Sequence, residues 1–364
     1  MVPAEAAWHV PCVMASTAHA RNNFDLVRLA AAAQVVWVHA TTHLGVSLTA
    51  PLRAFDAVLQ TFPGVPAFFV VSGFLITDAW LRDPDAHRYA INRALRIFPA
   101  LWVCFAGAVL VVLAFGHGPA MARDSARLAF WVVAQVTVLQ PYNLPALRDF
   151  GVGVLNGSLW TIPVELQFYL ALPLLLVLPR RLLVVAALAS AATFAMVEGA
   201  RPLPLANRVL LLTLAPHLFG FLLGTFARLY RARIMPLLEA RFVIWLLLHL
   251  AVQAALWGAG LSDAPWAVAA TRPLLAAVVL AAAFTRQDLA TRLLRGHDIS
   301  YGLYLWHMIV INALVELGLL GAWRFVALAA VLSVLAAMLS WRLVERPALS
   351  LKRRPARPAA LPAG

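Results

Sequence analysis

Apolar runs separated by short polar breaks divide almost the whole chain, at about 25–44, 62–80, 97–115, 160–178, 181–197, 208–227, 242–259, 265–285, 299–319 and 323–344. Each approaches the roughly 20 apolar residues that a helix needs to cross the hydrocarbon core of a bilayer. The runs are continuous and rich in Leu and Ala, whereas strands of a membrane barrel alternate over about ten residues. The pattern predicts an all-α integral membrane protein, a bundle of about ten transmembrane helices. An eleventh apolar stretch, 128–139, is short for a span and is expected to lie in the interface or to re-enter. Around this single domain, 21–350, the sequence leaves an N-terminal segment of residues 1–20 without signal-peptide character. It also leaves a basic Pro/Ala tail, 351–364, expected to be disordered. The outer loops are short apart from 116–159, and no helix-pair repeat is visible.

Composition agrees: 63% of residues are hydrophobic and only 12% charged, with a mean hydropathy of +0.83. Soluble domains are nearer half apolar and a quarter charged. Charge adds direction. The chain carries +13, and Lys352 is the single lysine among 29 basic residues. With the N-terminus placed in the cytoplasm, nineteen of those 29 fall in inside segments and seven in outside loops, while Arg28, Arg272 and Arg342 fall within or at the ends of spans. This positive-inside bias suits an even number of spans with both termini cytoplasmic. If 128–139 also spanned, every later segment would invert and the bias would be lost. The basic residues sit between apolar runs and not along an amphipathic surface, so nucleic acid is not an expected partner. Cys12 and Cys104 are too few for a disulfide framework and lack metal-ligand spacing.

Charged side chains near the bilayer centre are expensive, which makes each a functional candidate. By sequence position Glu165 is the only acid well inside a span; Asp25, Asp78 and Glu316 lie at margins and the rest are assigned to loops. Histidines within spans are His39, His43, His217, His249 and His307. Eleven residues separate Arg28 from His39, which is three helical turns plus about 20°, so both share one face about 16 Å apart along the axis. A site of that form has a cationic end near the cytoplasm and a base deep in the membrane. Simpler roles compete: His217 and His249 as hydrogen-bonded packing residues, and His43 as cavity wall or interface residue. Arg28 would serve as a headgroup anchor and Glu165 as a bridge between helices. A His39/His43 metal pair lacks an acidic third ligand nearby, so no metal is expected. The spacing of Gly220 and Gly224 is a helix-packing signal. Two trades suit such buried groups: acid–base catalysis and proton-coupled transport of a small anion or sugar.

Six motifs occur in order: Phe24-Asp25-Leu-Val-Arg28 followed by His39; Phe68-Phe69-Val-Val-Ser72-Gly73-Phe74-Leu75-Ile76; Asn92-Arg93-Ala-Leu-Arg96-Ile97; Trp160 with Glu165, Phe168 and Tyr169; Ser300-Tyr301-Gly-Leu-Tyr304-Leu-Trp306-His307; and Glu345-Arg346-Pro347. Together, over about residues 21–350, they resemble the membrane acyltransferase-3 family, whose hallmark is an Arg-x10-His spacing. The resemblance implies a multi-pass O-acyltransferase of the inner (plasma) membrane. It implies no bound cofactor and a co-substrate, acyl-CoA, with acetyl the commonest acyl group. The acceptor it implies is a hydroxyl of a carbohydrate or related molecule: a polysaccharide, a lipid-linked glycan or a glycolipid. Many relatives carry a C-terminal esterase-like domain, so this chain is expected to act alone or with a separate extracytoplasmic partner.

Roles follow from combining motif and geometry. Arg28, Arg93 and Arg96 would bind the phosphates of acyl-CoA as charge-assisted donors. The roughly 16 Å from Arg28 to His39 matches the reach of the pantetheine arm. His39 would be general base or acyl-accepting nucleophile, and Glu165 would orient it or bind acceptor hydroxyls. Ser72, Trp160, Tyr301, Tyr304 and His307 would line the cavity. A transporter would predict inverted repeats with broken helices at matching positions, and none is visible.

Overall fold

The computed structural model describes residues 22–200 and 204–352. The N-terminal segment and the part of the tail expected to be disordered beyond Lys352 lie outside the described residues. All regular structure among the described residues is helical. The principal helices are α1 (Phe24–His43), α2 (Gly64–Arg82), α3 (Ala86–Ala114), α4 (Thr161–Leu176), α5 (Arg180–Gly199), α6 (Leu218–Leu229), α7 (Phe242–Gly258), α8 (Pro265–Phe284), α9 (Ser300–Glu316) and α10 (Trp323–Ser340). Each apolar run of the sequence overlaps one of them, though not every one is long and apolar enough to count as a span. Among the described residues, six helical stretches are long and apolar enough to cross a membrane: Ala50–Arg82, Ala86–Ala114, Gly157–Leu176, Arg180–Gly199, Pro265–Phe284 and Trp323–Ser350. A seventh results if Arg231–Leu238 and Phe242–Gly258, bent by 81°, are one span. Lipid-facing surfaces are evident: Leu170 and Leu174, one turn apart on α4, are 78% and 71% exposed, and α7 buries only His249.

Three boundaries depart from the sequence expectation. α3 begins at Ala86, not near 97, because Asp85 caps it by accepting from Arg88 N at 2.8 Å; Arg93 and Arg96, expected ahead of the span, are therefore on the helix. α6 begins only at Leu218, since 204–217 is spent on the short helix Leu205–Leu210 and successive turns. α10 does not stop near 344 but runs through a π-helical turn, Trp341–Glu345, into Arg346–Ser350. That last change moves Glu345 out of the loop expected for it and leaves it 4% exposed. The 128–139 stretch forms a helix, Ser125–Val136. It lies against α3, where Trp131 packs on Phe105 with ring centroids 5.0 Å apart and Trp102 Nε1 donates to Val136 O at 2.9 Å.

Small residues set the helix spacing. A Cβ on Gly224 would stand 2.0 Å from Val70 O, and one on Gly73 would stand 1.9 Å from Phe221 O, so α2 and α6 approach backbone to backbone. The packing role read from Gly220 and Gly224 is thus carried by Gly224 together with Gly73. Polar side chains close the bundle ends. Asn23 Nδ2 donates to Thr285 O (2.6 Å) and Arg286 O (3.0 Å), and its Oδ1 accepts from Ala290 N, which satisfies backbone groups left over where α8 ends. On α9, fully buried Asn312 accepts from Val152 N (2.9 Å) and donates to Val154 O and Leu155 O. The long 116–159 segment is thereby pinned to α9, and Gly151 (φ +56°) is obligatory there because a Cβ would meet Asn312 Oδ1 at 2.2 Å.

Candidate active site

The start of α1, the first half of α3, the start of α9 and the end of α10 meet at one end of the bundle. Arg28 Nη2 donates to Asp298 Oδ2 at 2.9 Å, and Arg96 Nη2 donates to the same oxygen at 2.7 Å. Asp25 also pairs with Arg28. Asp298 is only 7% exposed, and its other oxygen accepts from Ser300 Oγ at 2.5 Å. Burial acts to raise the Asp298 pKa, but the charges of Arg28 and Arg96 outweigh it and hold the carboxyl well below the usual carboxylate range. Asp298 thus serves two guanidinium groups and Asp25 pairs with one of them, so the positive excess at this end comes from Arg93 and Lys352. Arg93 stacks over the Tyr169 ring at 5.8 Å and Arg96 over Tyr301 at 5.7 Å. The Nε donors of Arg28 and Arg93 are buried without hydrogen-bond partners among the described residues. Lys352, just past the last helix, joins this group: burial first, then Arg93, Arg96 and Arg28, push its pKa down to about 7.

From this cluster a narrow chamber of about 100 Å³ runs into the bundle, lined by Arg28, Arg93 and Arg96 at its mouth and by Ser72, Glu165 and Tyr301 further in, with Tyr304 and Thr161 closing it. Glu165 accepts from Ser72 Oγ at 2.9 Å and from the Tyr169 hydroxyl one turn on. Tyr301 OH donates to Ile97 O at 3.0 Å. Tyr304 OH donates to Ser158 O at 2.6 Å and meets Thr161 Oγ1 at 2.8 Å.

One turn beyond Tyr304 on α9 lies His307, fully buried, with its ring centroid 6.0 Å from that of Tyr304. His307 Nδ1 lies 3.2 Å from Leu303 O, and its Nε2 lies 2.9 Å from His39 Nδ1. A carbonyl only accepts, so His307 carries its proton on Nδ1. Its bare Nε2 then accepts from His39 Nδ1–H, and His39 keeps a free lone pair on Nε2. The two imidazoles stack with centroids 5.1 Å apart, and His43 lies 5.7 Å from His39.

Arg28 and His39 do share a face of α1, since both reach α9 or the residues just before it. The structure brings Arg28, Arg93, Arg96, Ser72, Glu165, Tyr301 and Tyr304 to one chamber. Three placements differ from the sequence expectation. Glu165 is held by Ser72 and Tyr169, and the partner of His39 is His307. His307 is a buried support behind Tyr304 and not a lining residue, so the chamber stops one turn short of the histidine pair. Trp160 faces a second, larger cavity at the opposite end of the bundle. Sequence reasoning missed Asp298, Lys352 and Glu345. Glu345 had a signal in its motif: it sits in the π-turn with Oε1 accepting from Ser340 Oγ (3.1 Å) and Oε2 unpartnered, and it crowds the Cβ position of Gly302 at 2.8 Å. His217 and His249 bond backbone carbonyls, Leu211 O and Thr61 O, each at 2.9 Å. Among the described residues no group of three His, Cys, Asp or Glu is arranged to hold a metal ion.

Comparison with known proteins matches residues 21–342 to the family model described as "Acyltransferase domain". The chain is 37% identical over 354 residues to "Nodulation protein 10" of Rhizobium leguminosarum bv. viciae, covering 91% of this chain and 94% of that protein. It is 28% identical over 158 residues to an "O-acetyl transferase" of Shigella phage Sf6, covering 42% of this chain and 45% of the phage protein. It is also 30% identical over 120 residues to "Peptidoglycan O-acetyltransferase OatA" of Listeria monocytogenes, covering 31% of this chain but 19% of that protein. No solved structure matches.

Proposed function

The chain belongs to the acyltransferase-3 family and is a membrane O-acyltransferase, and from that premise we propose that it moves an acyl group, acetyl foremost, from cytoplasmic acyl-CoA to a hydroxyl of a carbohydrate or lipid-linked acceptor. In this reading the bundle spans the inner membrane ten times with both termini cytoplasmic, and the Arg28 end faces the cytoplasm.

The observation that carries the donor assignment is the cationic mouth of the chamber. Arg28 pairs with Asp25 and Asp298 and Arg96 with Asp298, while Arg93 adds a third guanidinium at the mouth and Lys352 a fourth cation nearby. Phosphates of a coenzyme A fit that excess of donors, including the two orphan Nε–H groups. The pantetheine arm is slender enough to follow a narrow chamber past Ser72 and Tyr301 toward Tyr304. A shift of the Tyr304 side chain would join the chamber to the histidine pair behind it.

His39 Nε2 then acts as general base. It takes the proton of the acceptor hydroxyl as that oxygen attacks the thioester carbonyl carbon; the new C–O ester bond forms, the C–S bond breaks, and the coenzyme leaves as thiolate to be protonated by the histidinium. His307 holds the His39 ring in the tautomer that leaves Nε2 bare. Glu165, anchored by Ser72 and Tyr169, fixes the chamber wall and presents its second oxygen to acceptor hydroxyls. The test is thiol release from acetyl-CoA by the purified protein in liposomes with a panel of glycans. Wild type is expected to release thiol in an acceptor-dependent way, and His39→Asn to lose it by about 10²–10⁴-fold while eluting as the same folded species. A His39→Asn protein with wild-type turnover would remove His39 from the reaction.

A further inference from the structure

At the end of the bundle opposite Arg28, a cavity of about 440 Å³ opens where the first turns of α2, α4 and α6 approach α5 and α8. Its wall is largely aromatic and aliphatic, and two further charged side chains, Glu198 near the end of α5 and Arg208, also line it. His217 stands 5.2 Å from Trp160 and 5.5 Å from Phe69, ring centroid to centroid, which makes a broad flat surface. The first half of α8 brings Arg272 to the same wall, and Arg272 has no hydrogen bond or ion pair among the described residues. A guanidinium within a membrane helix is expensive, and such residues mark substrate and ion pathways. The larger cavity also abuts the donor chamber. Val65 and Phe69 line both, and the consecutive residues Trp160 and Thr161 line one each.

We propose that this cavity holds the acceptor, and that Arg272 selects acceptors whose sugar bears a negative charge, as a carboxylate or as a phosphate linking it to a lipid. The inference rests on the acyl-CoA reading above and extends it to the acceptor. A sugar ring lies against the aromatic surface, its anion pairs with Arg272, and its reactive hydroxyl points across the Val65–Phe69 wall toward the donor chamber. The cation acts by charge and hydrogen bonding at once, since both oxygens of a carboxylate or phosphate match the guanidinium fork.

The test uses three labelled probes: octyl glucuronide (a carboxylate on the sugar), octyl glucosyl phosphate (a phosphodiester) and neutral octyl glucoside. Equilibrium binding to the full-length protein in phosphatidylcholine nanodiscs is measured without acyl-CoA, against empty nanodiscs. Wild type is expected to bind one or both anionic probes more tightly than the glucoside, and the tighter of the two names the source of the charge. Arg272→Gln is expected to weaken anionic binding about tenfold or more and leave the glucoside unchanged, while Arg272→Lys retains part of the preference. Equal binding of all three probes by wild type, or an Arg272→Gln effect that ignores probe charge, overturns the proposal. If Arg272→Gln changes only the retention of co-purified anionic lipid, the proposal is likewise overturned. Acylation of the same probes with acetyl-CoA is followed in parallel. Charge-selective, Arg272-dependent binding without acylation supports the cavity and contradicts the acyl-CoA reading. Acylation of all three probes that is indifferent to Arg272→Gln does the reverse.

Discussion

The catalytic tautomer of His39 depends on His307. It is fully buried, and among the described residues its Nε2 is the only partner of His39 Nδ1, at 2.9 Å. His307→Leu removes that acceptor at similar volume and leaves the His39 Nδ1–H unpaired in an apolar setting. A buried donor without a partner costs about 1–3 kcal/mol. Relief comes by moving the proton to Nε2 or rotating the ring, and either removes the lone pair that serves as base. At 1.36 kcal/mol per tenfold, that penalty is a loss of about 5- to 150-fold in the competent form. His307→Leu should therefore lower kcat by that factor while the KM for acyl-CoA, set at the far end of the chamber, stays put. His307→Gln supplies a side-chain oxygen in place of Nε2 and should recover most of the loss. The assay is steady-state thiol release in proteoliposomes, with monodispersity in detergent as the folding control. Wild-type kcat in His307→Leu would refute the tautomer argument. So would a well-folded His307→Gln as slow as the leucine variant, since it would reduce His307 to packing.

Other consequences are simpler. Arg93→Ala should raise the KM for acyl-CoA about tenfold or more with little change in kcat, because a charge-assisted contact of about 1.5–3 kcal/mol is removed from binding alone; an unchanged KM would detach Arg93 from the donor. Lys352 has a pKa lowered to about 7 by burial and then by Arg93, Arg96 and Arg28, so it is charged below pH 7 and neutral above. The KM for acyl-CoA in wild type should accordingly rise as pH increases through 7, and Lys352→Met should flatten that rise. Gly224→Ala places a methyl group 2.0 Å from Val70 O, which forces α2 and α6 apart and should lower stability by about 1–3 kcal/mol, read as a lower melting temperature in detergent, whereas Gly45→Ala, with open space at Cβ but φ +63°, should cost less.

Much of this was legible in the sequence because membrane helices announce themselves by unbroken apolarity and because Arg28, His39 and Glu165 stand out against it. The helix faces were legible too, since the eleven-residue spacing of Arg28 and His39 has a geometric meaning before any partner is known. What hydropathy could not show was where a helix starts in a polar stretch: the cap at Asp85 carries α3 back through Arg88, Arg93 and Arg96, residues that read as a loop by composition. It could not separate Glu345 from a tail either, because a π-turn has no apolar signature. Asp298 looked like a loop acid until the fold set it between Arg28 and Arg96. The pairing of His39 with His307 joins residues 268 apart in the chain, and no local pattern encodes it. The departures therefore concern partners and boundaries, the properties that depend on tertiary contact.

Acyl transfer from a coenzyme A thioester through the His39 site couples thiol release to ester formation on the acceptor. The most direct measurement follows both halves of the reaction at once, in liposomes containing the purified protein, acetyl-CoA labelled in its acetyl group and an acceptor glycan. Each free thiol released is expected to be matched by one labelled acetyl group in alkali-labile ester linkage on the acceptor, and His39→Asn is expected to abolish both together. Thiol release with no label on the acceptor, or labelled acceptor formed equally well by His39→Asn, would contradict transfer through His39.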